Sequence, residues 1–285
     1  SYISIRGFDQ SQIAVMLDNV PMNDNESHQV YWVDHGNILS EAKEVQIQRG
    51  IGNSLYGAAA FGGSINIQTK IKSNEPVIAG NIGYGSFNSS KLSANYNSGN
   101  NLGNDISVNF RVSQIESDGY RDYHHSLQQA LSLGIEHSTG RLTNQYRVLI
   151  GYENTDLIWD GVYGNDIQNR ELRRNGYKGF TDDFLQQVYS LNSRYTIDEK
   201  SLFNNTFYYV KGAGYYETDK YEKTFYSYNL DFESGWADST TNLMRRKWIV
   251  NNYFGMSPNY TIRIDKLRID LGGEYRIYRG NHFGE

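Results

Sequence analysis

At 285 residues, with a net charge of −5 and a mean hydropathy of −0.64, the chain is polar, and no apolar run approaches the ~18 residues a membrane helix needs. It has no cysteine, which excludes a disulfide framework and thiolate chemistry, and its scattered Lys and Arg form no aromatic-interleaved stripe for nucleic acid. Its 24 tyrosines and 3 prolines suit a membrane only if strands cross it, because only alternate strand residues then meet lipid.

In chain order, the first recognisable element is Ile5-Arg6-Gly7-Phe8, followed by a strand-to-loop segment, Val15-Met16-Leu17-Asp18-Asn19-Val20-Pro21-Met22-Asn23. A polar and aromatic loop occupies residues 22–35. A short hydrophobic strand at 45–47, a glycine-dense bend and a second strand at 64–69 come next. Glycine is required there wherever backbones pass closely or φ turns positive. In order and spacing, these elements resemble the plug of TonB-dependent outer-membrane receptors. That family's plugs close with R-G-x-x-S-x-x-Y-G-x-x-A-x-G-G-x-I-N-I, which residues 49–67 match nearly throughout. Arg49, Gly50, Tyr56, Gly57, Gly62, Gly63 and Asn66 are among the matching positions, and Arg6 and Gly7 belong to the I-R-G element upstream.

From about residue 76 onward, polar–apolar alternation dominates. Leu92, Ala94 and Tyr96 share one face, as do Ile106, Val108, Phe110 and Val112, then Leu131, Leu133 and Ile135, then Tyr146, Val148, Ile150 and Tyr152. Leu267, Ile269, Leu271, Tyr275 and Ile277 repeat the pattern. A period of two over about ten residues predicts antiparallel strands with one apolar and one polar face. Segments 202–210 and 248–256 are β-like with their inward face left open.

About nine strands are expected. Their joins alternate between short (98–104, 138–142, 198–200, 257–266) and long (117–126, 156–183, 217–246), with 85–88 as the exception. Outer-membrane barrels have short periplasmic turns and longer outer loops, so strands starting near Val77, Asp105, Thr143, Ser201 and Leu267 run outward. A soluble β-sandwich or solenoid alternates similarly but does not account for the parity. Tyr195, Tyr208, Tyr209, Tyr215, Tyr216, Tyr260 and Tyr278 lie near strand ends, where girdle tyrosines belong, though each could equally face the lumen or a loop. A plugged barrel needs about 22 strands, so the chain supplies under half of one. The expected fold is mostly β: a partial antiparallel transmembrane barrel at 71–285 preceded by the later portion of a small mixed α/β plug at 1–70.

Catalytic readings find little support. His124 and His125 are adjacent and diverge on a strand. His28 and His35 lack the i, i+4 partner and glutamate of a zinc protease helix. Ser54 and Ser64 have no G-x-S-x-G elbow, and after Gly50-Ile51-Gly52 the third glycine of a dinucleotide site is displaced and no helix of normal length follows. Asp156, Asp160 and Asp166, around Trp159, Gly161, Tyr163 and Gly164, form an acidic aromatic loop with no defensible metal spacing. No enzyme, metal site or cofactor is expected.

The best binding candidates are Asn23, Asp24, Asn25, Glu26, His28, Tyr31 and Trp32, which combine donors, acceptors and two rings; Asp160 and Tyr163 in a long outer loop join them. For Tyr31 and Trp32, packing of the plug against the barrel is an equal alternative. The resemblance implies that residues 22–35 are an apical loop touching substrate, and that Arg6 and Arg49 look to barrel glutamates and hold the plug. It further implies active import of a scarce solute across the bacterial outer membrane. Partners would be a TonB-type energy-coupling protein in the periplasm, outer-membrane lipid and a small-molecule solute, with a surface lipoprotein left open and no nucleic acid. Arg49-Gly50 and residues 61–67 look more like iron-chelate and cobalamin receptors than glycan importers, which usually carry other residues there. Glycan import, a structural or adhesive barrel, a soluble glycan-binding protein and an outer-membrane hydrolase are the rivals. Ser1 opens inside a motif, with no initiator Met, signal peptide or coupling segment ahead of it, so the chain is expected to be part of something longer.

Overall fold

The computed structural model describes residues 3–50, 61–69, 71–103, 105–157, 161–162, 164–174, 180–228 and 239–285. Two sheets organise them. The first is four-stranded, in the order β2-β1-β4-β3, from β1 (Ile13–Leu17), β2 (Val20–Pro21), β3 (Ala42–Arg49) and β4 (Gly63–Thr69). All five residues of β1 are buried, as expected of a central strand with an unbroken apolar run. It runs parallel to β4, pairing Ile13 with Gly63 through Leu17 with Ile67. Asp18 and Asn19, both at positive φ, turn the chain tightly into β2. β3 lies at the far edge, longer than the 45–47 of the sequence reading, with Val45 and Ile47 exposed. Ile13, Val15, Leu17, Met22, Val30, Ile65 and Ile67 form the core.

Of the closing motif's described glycines, Gly50 serves a positive φ with open space at its Cβ position, while Gly62 and Gly63 act through close approach. A Cβ on Gly62 would overlap the Phe8 side chain, and one on Gly63 would press on the Gln48 carbonyl. Tyr56 and Gly57 lie outside the described residues. Helical structure in the described part of this unit is limited to 3₁₀ turns at Gln10–Gln12, Trp32–His35 and Ile38–Glu41.

The second sheet is antiparallel throughout and follows chain order: β5 (Val77–Tyr84), β6 (Ser90–Asn97), β7 (Ile106–Ser117), β8 (Ser126–Thr139), β9 (Leu142–Asp156), β10 (Phe180–Thr196), β11 (Ser201–Thr224), β12 (Thr240–Ile264), β13 (Leu267–Gly272) and β14 (Tyr275–Gly284). In this chain the sheet does not close. β13 and β14 pair with β12 in one continuous register, so ten strands occupy nine positions. Their interruption has a local cause. Gly273 donates its N–H to the Pro258 carbonyl at 3.1 Å, but Pro258 has no N–H to return.

That proline also explains why the sequence reading placed a connection at 257–266. β12 runs through Pro258, and only Asp265 and Lys266 separate it from β13. The expected long connection at 217–246 likewise shrinks to 225–239, because β11 and β12 are 24 and 25 residues long. Their ladder continues past Thr218, where β10 ends at Phe180, and shifts register between Lys220 and Lys223. The alternation of short and long joins holds from β8 onward, at 140–141, 157–179, 197–200, 225–239 and 265–266, whereas 98–105 and 118–125, read as short and long, are equal in length.

The two faces of this sheet differ as they must when one meets lipid. Leu92, Ala94, Val112, Leu131 and Ile150 face outward, whereas Ser93, Asn97, Ser107, Asn109, Ser132 and Arg147 lie on the opposite face and are buried. Outward aromatics fall into two register rows. Tyr195, Phe203 and Tyr260 make one, and Tyr215, Trp248 and Phe283 the other, with ring centroids 4.7 and 5.8 Å apart along the second. The strand between Phe203 and Tyr215 is about 40 Å long, or about 28 Å of thickness at a tilt of ~45°, which matches a hydrocarbon core. Tyr208 and Tyr278, weighed in the sequence as girdle residues, instead pack inward.

Candidate functional site

Three contacts seat the small sheet in the concave face. Asp18 pairs with Arg147 of β9, Oδ2 to Nε at 2.9 Å, while its two carboxylate oxygens also accept from the Thr69 N–H and hydroxyl at 2.8 and 2.6 Å. The Tyr253 hydroxyl donates to the Pro21 carbonyl at 3.1 Å. The 3₁₀ turn at Trp32–His35 lies against β8, β9 and β10, and a Cβ on Gly151 would overlap the Asp34 carbonyl oxygen, so this wall has glycine where the turn's backbone meets it. Arg6 and Arg49 are exposed, and no carboxylate among the described residues pairs with either.

The loop that follows β2 reaches β14. Glu26 accepts hydrogen bonds from the Tyr278 hydroxyl at 2.7 Å and, with His282 donating, from its Nε2 at 2.9 Å; Arg276 Nη1 donates to Asn25 Oδ1 at 3.1 Å. Asp24 Oδ1 folds the loop by accepting from Glu26 N–H, Ser27 N–H and the Ser27 hydroxyl.

Between this loop and the wall lies a cavity of ≈ 760 Å³. Its floor is Met22, Asp24, Glu26, Ser27, Tyr31 and Asp34. Its wall, from alternate residues of β10 and β12, offers Asp182, Phe184 and Gln186, then Arg245, Lys247, Asn251 and Tyr253. Acidic groups thus gather at the floor and cationic ones on the far strand, with rings between them. That mixture can orient a polar solute by charge and hold it by ring contact.

Of the candidates named from sequence, Asp24, Glu26 and Tyr31 meet at this cavity. Asn23 does not: its Oδ1 accepts from Val15 N–H at 2.8 Å, and its Nδ2 donates to the Ile13 and His28 carbonyls. Trp32 packs on the core, with Nε1 donating to Gln10 Oε1 at 2.8 Å. Asn25 is engaged with Arg276, and His28 is exposed at positive φ away from the cavity lining. Asp160 and Tyr163 lie outside the described residues. The wall residues escaped sequence reasoning, although their period of two on β10 and β12 was available.

Glu26 and Asp34 respond to pH in opposite senses. Hydrogen bonds from His282 and Tyr278 hold the Glu26 carboxyl below its ordinary value of 4.5. Its contribution to the loop–β14 contact is therefore full above that value and is lost as pH falls through the lowered one. Burial, then repulsion from Glu153 and Asp182, pushes Asp34 well above the usual carboxylate range, so it favours the seated plug at low pH and opposes it as pH rises through that raised value. A fluorophore on Ser27→Cys is expected to report loop release on acidification below pH 4.5. That step should vanish in Glu26→Gln; persistence there would remove Glu26 as its cause.

A strand-walled lumen filled by a small mixed sheet, with an aromatic-bounded apolar exterior, defines a plugged outer-membrane barrel. Residues 1–64 match the family model described as the TonB-dependent Receptor Plug Domain. That match covers under a quarter of the chain, which as a whole is similar to TonB-dependent receptors of the Gram-negative outer membrane. Similar curated proteins include the vitamin B12 transporter BtuB of Vibrio vulnificus, 23% identical over 279 residues, a match covering 96% of this chain and 40% of that protein. Another is the probable TonB-dependent siderophore receptor PiuA of Acinetobacter baumannii, 22% identical over 226 residues, covering 74% and 29%. The crystal structure of PiuA shares the fold at a TM-score of 0.74 and 13% identity, over 99% of this chain and 40% of that one. The chain thus spans two fifths or less of the curated relatives' length.

Proposed function

We propose that the whole protein imports an iron chelate of the siderophore type, or a cobalamin, across the outer membrane, driven through a TonB-type coupling protein in the periplasm. The observation that carries this reading is the ≈ 760 Å³ cavity between plug loop and barrel wall, in a chain similar to these receptors. Asp24, Glu26 and Tyr31 contact solute from the plug, and Arg245, Lys247 and Tyr253 from the wall. Residues 1–70 act as plug and 71–285 as barrel. Asp160 and Tyr163 extend the site from the outer loop, and Arg6 and Arg49 pair with glutamates of the remaining barrel. The names of the two curated relatives support the solute classes.

The test is uptake of labelled iron chelates and cobalamin by cells with and without the gene, before and after collapse of the proton gradient. One solute is expected to lose energised uptake on deletion, and Lys247→Ala with Tyr31→Ala should weaken its binding roughly tenfold or more, since a few central contacts carry most affinity. Unchanged accumulation of every solute overturns the reading.

A further inference from the structure

One register row crosses the outward face of the large sheet from β6 to β14 and changes character midway. Its first half is Ala94, Val112, Leu131 and Ile150, the apolar side chains a lipid-facing surface requires. Its second half, on β10, β11, β12 and β14, is Gln187, Lys211, Asn252 and Arg279. On β10 to β12 this polar stretch is bracketed. Leu185, Ala213 and Val250 lie on the side of the long joins, and the rings of Tyr189, Tyr209 and Phe254 on the other. Two cations and two amides thus stand inside the hydrophobic band.

Lys211 and Arg279 are exposed, and among the described residues neither has an ion pair or a hydrogen bond. The amides are held. Tyr189 donates its hydroxyl to Gln187 Oε1 and Tyr209 to Asn252 Oδ1, each at 2.7 Å, and the two rings stack with centroids 6.2 Å apart. With their carbonyl oxygens so engaged, Gln187 and Asn252 present amide N–H groups beside the ammonium and the guanidinium. No carboxylate lies in the row. A second copy of this face would set cation against cation, whereas an anion rich in acceptors would satisfy every group in it.

The depth of the row narrows the choice of anion. Lys211 and Arg279 each lie four positions from the aromatic row of Tyr215 and Phe283, on the side of the long joins. That is about 13 Å of strand, or about 9 Å of depth at a tilt of ~45°. Long basic side chains rise along an apolar surface over most of such a depth, carrying their charge toward the headgroups.

We propose that Gln187, Lys211, Asn252 and Arg279 are a docking site for a phosphate-bearing lipid of the outer leaflet. The cations and amide N–H groups take the phosphate, and the acyl chains lie over Tyr189, Tyr209 and Phe254. The site needs the barrel in its membrane and is independent of which solute is imported.

The test is lipid retention by the delipidated whole protein, read by native mass spectrometry with dioleoyl phosphatidic acid, and with dioleoyl phosphatidylcholine, whose choline masks the phosphate, as reference. Phosphatidic acid is expected to bind roughly tenfold tighter or more, the scale of one charge-assisted hydrogen bond. Lys211→Gln with Arg279→Gln should bring the two lipids within about twofold of each other. This pair only removes charge from a lipid-facing surface, so the barrel still forms. Lys200→Gln with Lys266→Gln, the same change of net charge in two short joins, should keep the preference, as should Lys211→Arg with Arg279→Lys. An undiminished preference in the neutralised variant overturns the site. Inorganic phosphate binding as tightly as phosphatidic acid would make the row a free-anion site and overturns the lipid assignment. So does loss, in the neutralised variant, of a larger complex from membrane extracts while the lipid preference stays: the row would then belong to a carboxylate-bearing membrane protein.

Discussion

Replacing Arg147 with alanine is expected to cost the seated plug about 3–5 kcal/mol, the largest single-residue effect in this chain. Arg147 is 5% exposed and its partner Asp18 21%, so truncation leaves a largely buried carboxylate with its cationic partner gone. Attraction in the intact pair is not what sets the size of the loss; the abandoned charge is. Removing both charges should therefore cost less than removing one. In Asp18→Asn with Arg147→Gln, asparagine tolerates the positive φ at residue 18 and its Oδ1 still accepts from Thr69 N–H. Denaturant-driven plug release from the solubilised whole protein, read by a fluorophore on the plug, measures both. A double variant as damaged as Arg147→Ala would mean that the guanidinium matters for its packing and not for its charge.

The second large effect is steric. Gly151→Val places a branched side chain where the Asp34 carbonyl oxygen now lies, so the turn at Trp32–His35 must lift from β9. Overpacking of this kind costs about 1–3 kcal/mol when neighbours can shift, and more when the obstacle is backbone, as here. Gly80→Ala is the control: nothing lies closer than 3.6 Å to its Cβ position. Limited proteolysis of the plug should accelerate in Gly151→Val and stay unchanged in Gly80→Ala. Equal resistance of the two would show that the turn is seated from elsewhere.

Much of the fold was legible because lipid imposes a strict rule on a strand. Leu131, Leu133 and Ile135 alternate with serine and glycine because one face is apolar and the other polar, and the lengths of the joins gave that pattern its membrane reading. Where sequence reading fell short, chemistry had disguised the pattern. Pro258 looks like a strand breaker, yet its missing N–H costs one bond with β13 and leaves the strand intact. Tyr208 resembles a girdle tyrosine; only the glycine opposite it, Gly255, shows that its ring lies inward. The plug side of the site was readable as a polar loop after a hydrophobic strand. Which of its residues face the cavity was not, because Asn23 and Asp24 look alike in sequence, and only the backbone partners of Asn23 separate a loop brace from a cavity residue. Arg147 gave no local signal, since its partner lies well over a hundred positions away.

The reach of β11 and β12 past Thr218 has a further consequence. Among the described residues, β10 gives no partner to that overhang, so it presents an open row of backbone donors and acceptors above the membrane. On a crowded cell surface such an edge invites neighbouring copies to zip together into continuous sheet. Asp219, Lys220, Glu222 and Lys223 put alternating charge along it, and the register shift between Lys220 and Lys223 twists it out of line. Charge and twist along the overhang thus both act against strand pairing between neighbouring copies.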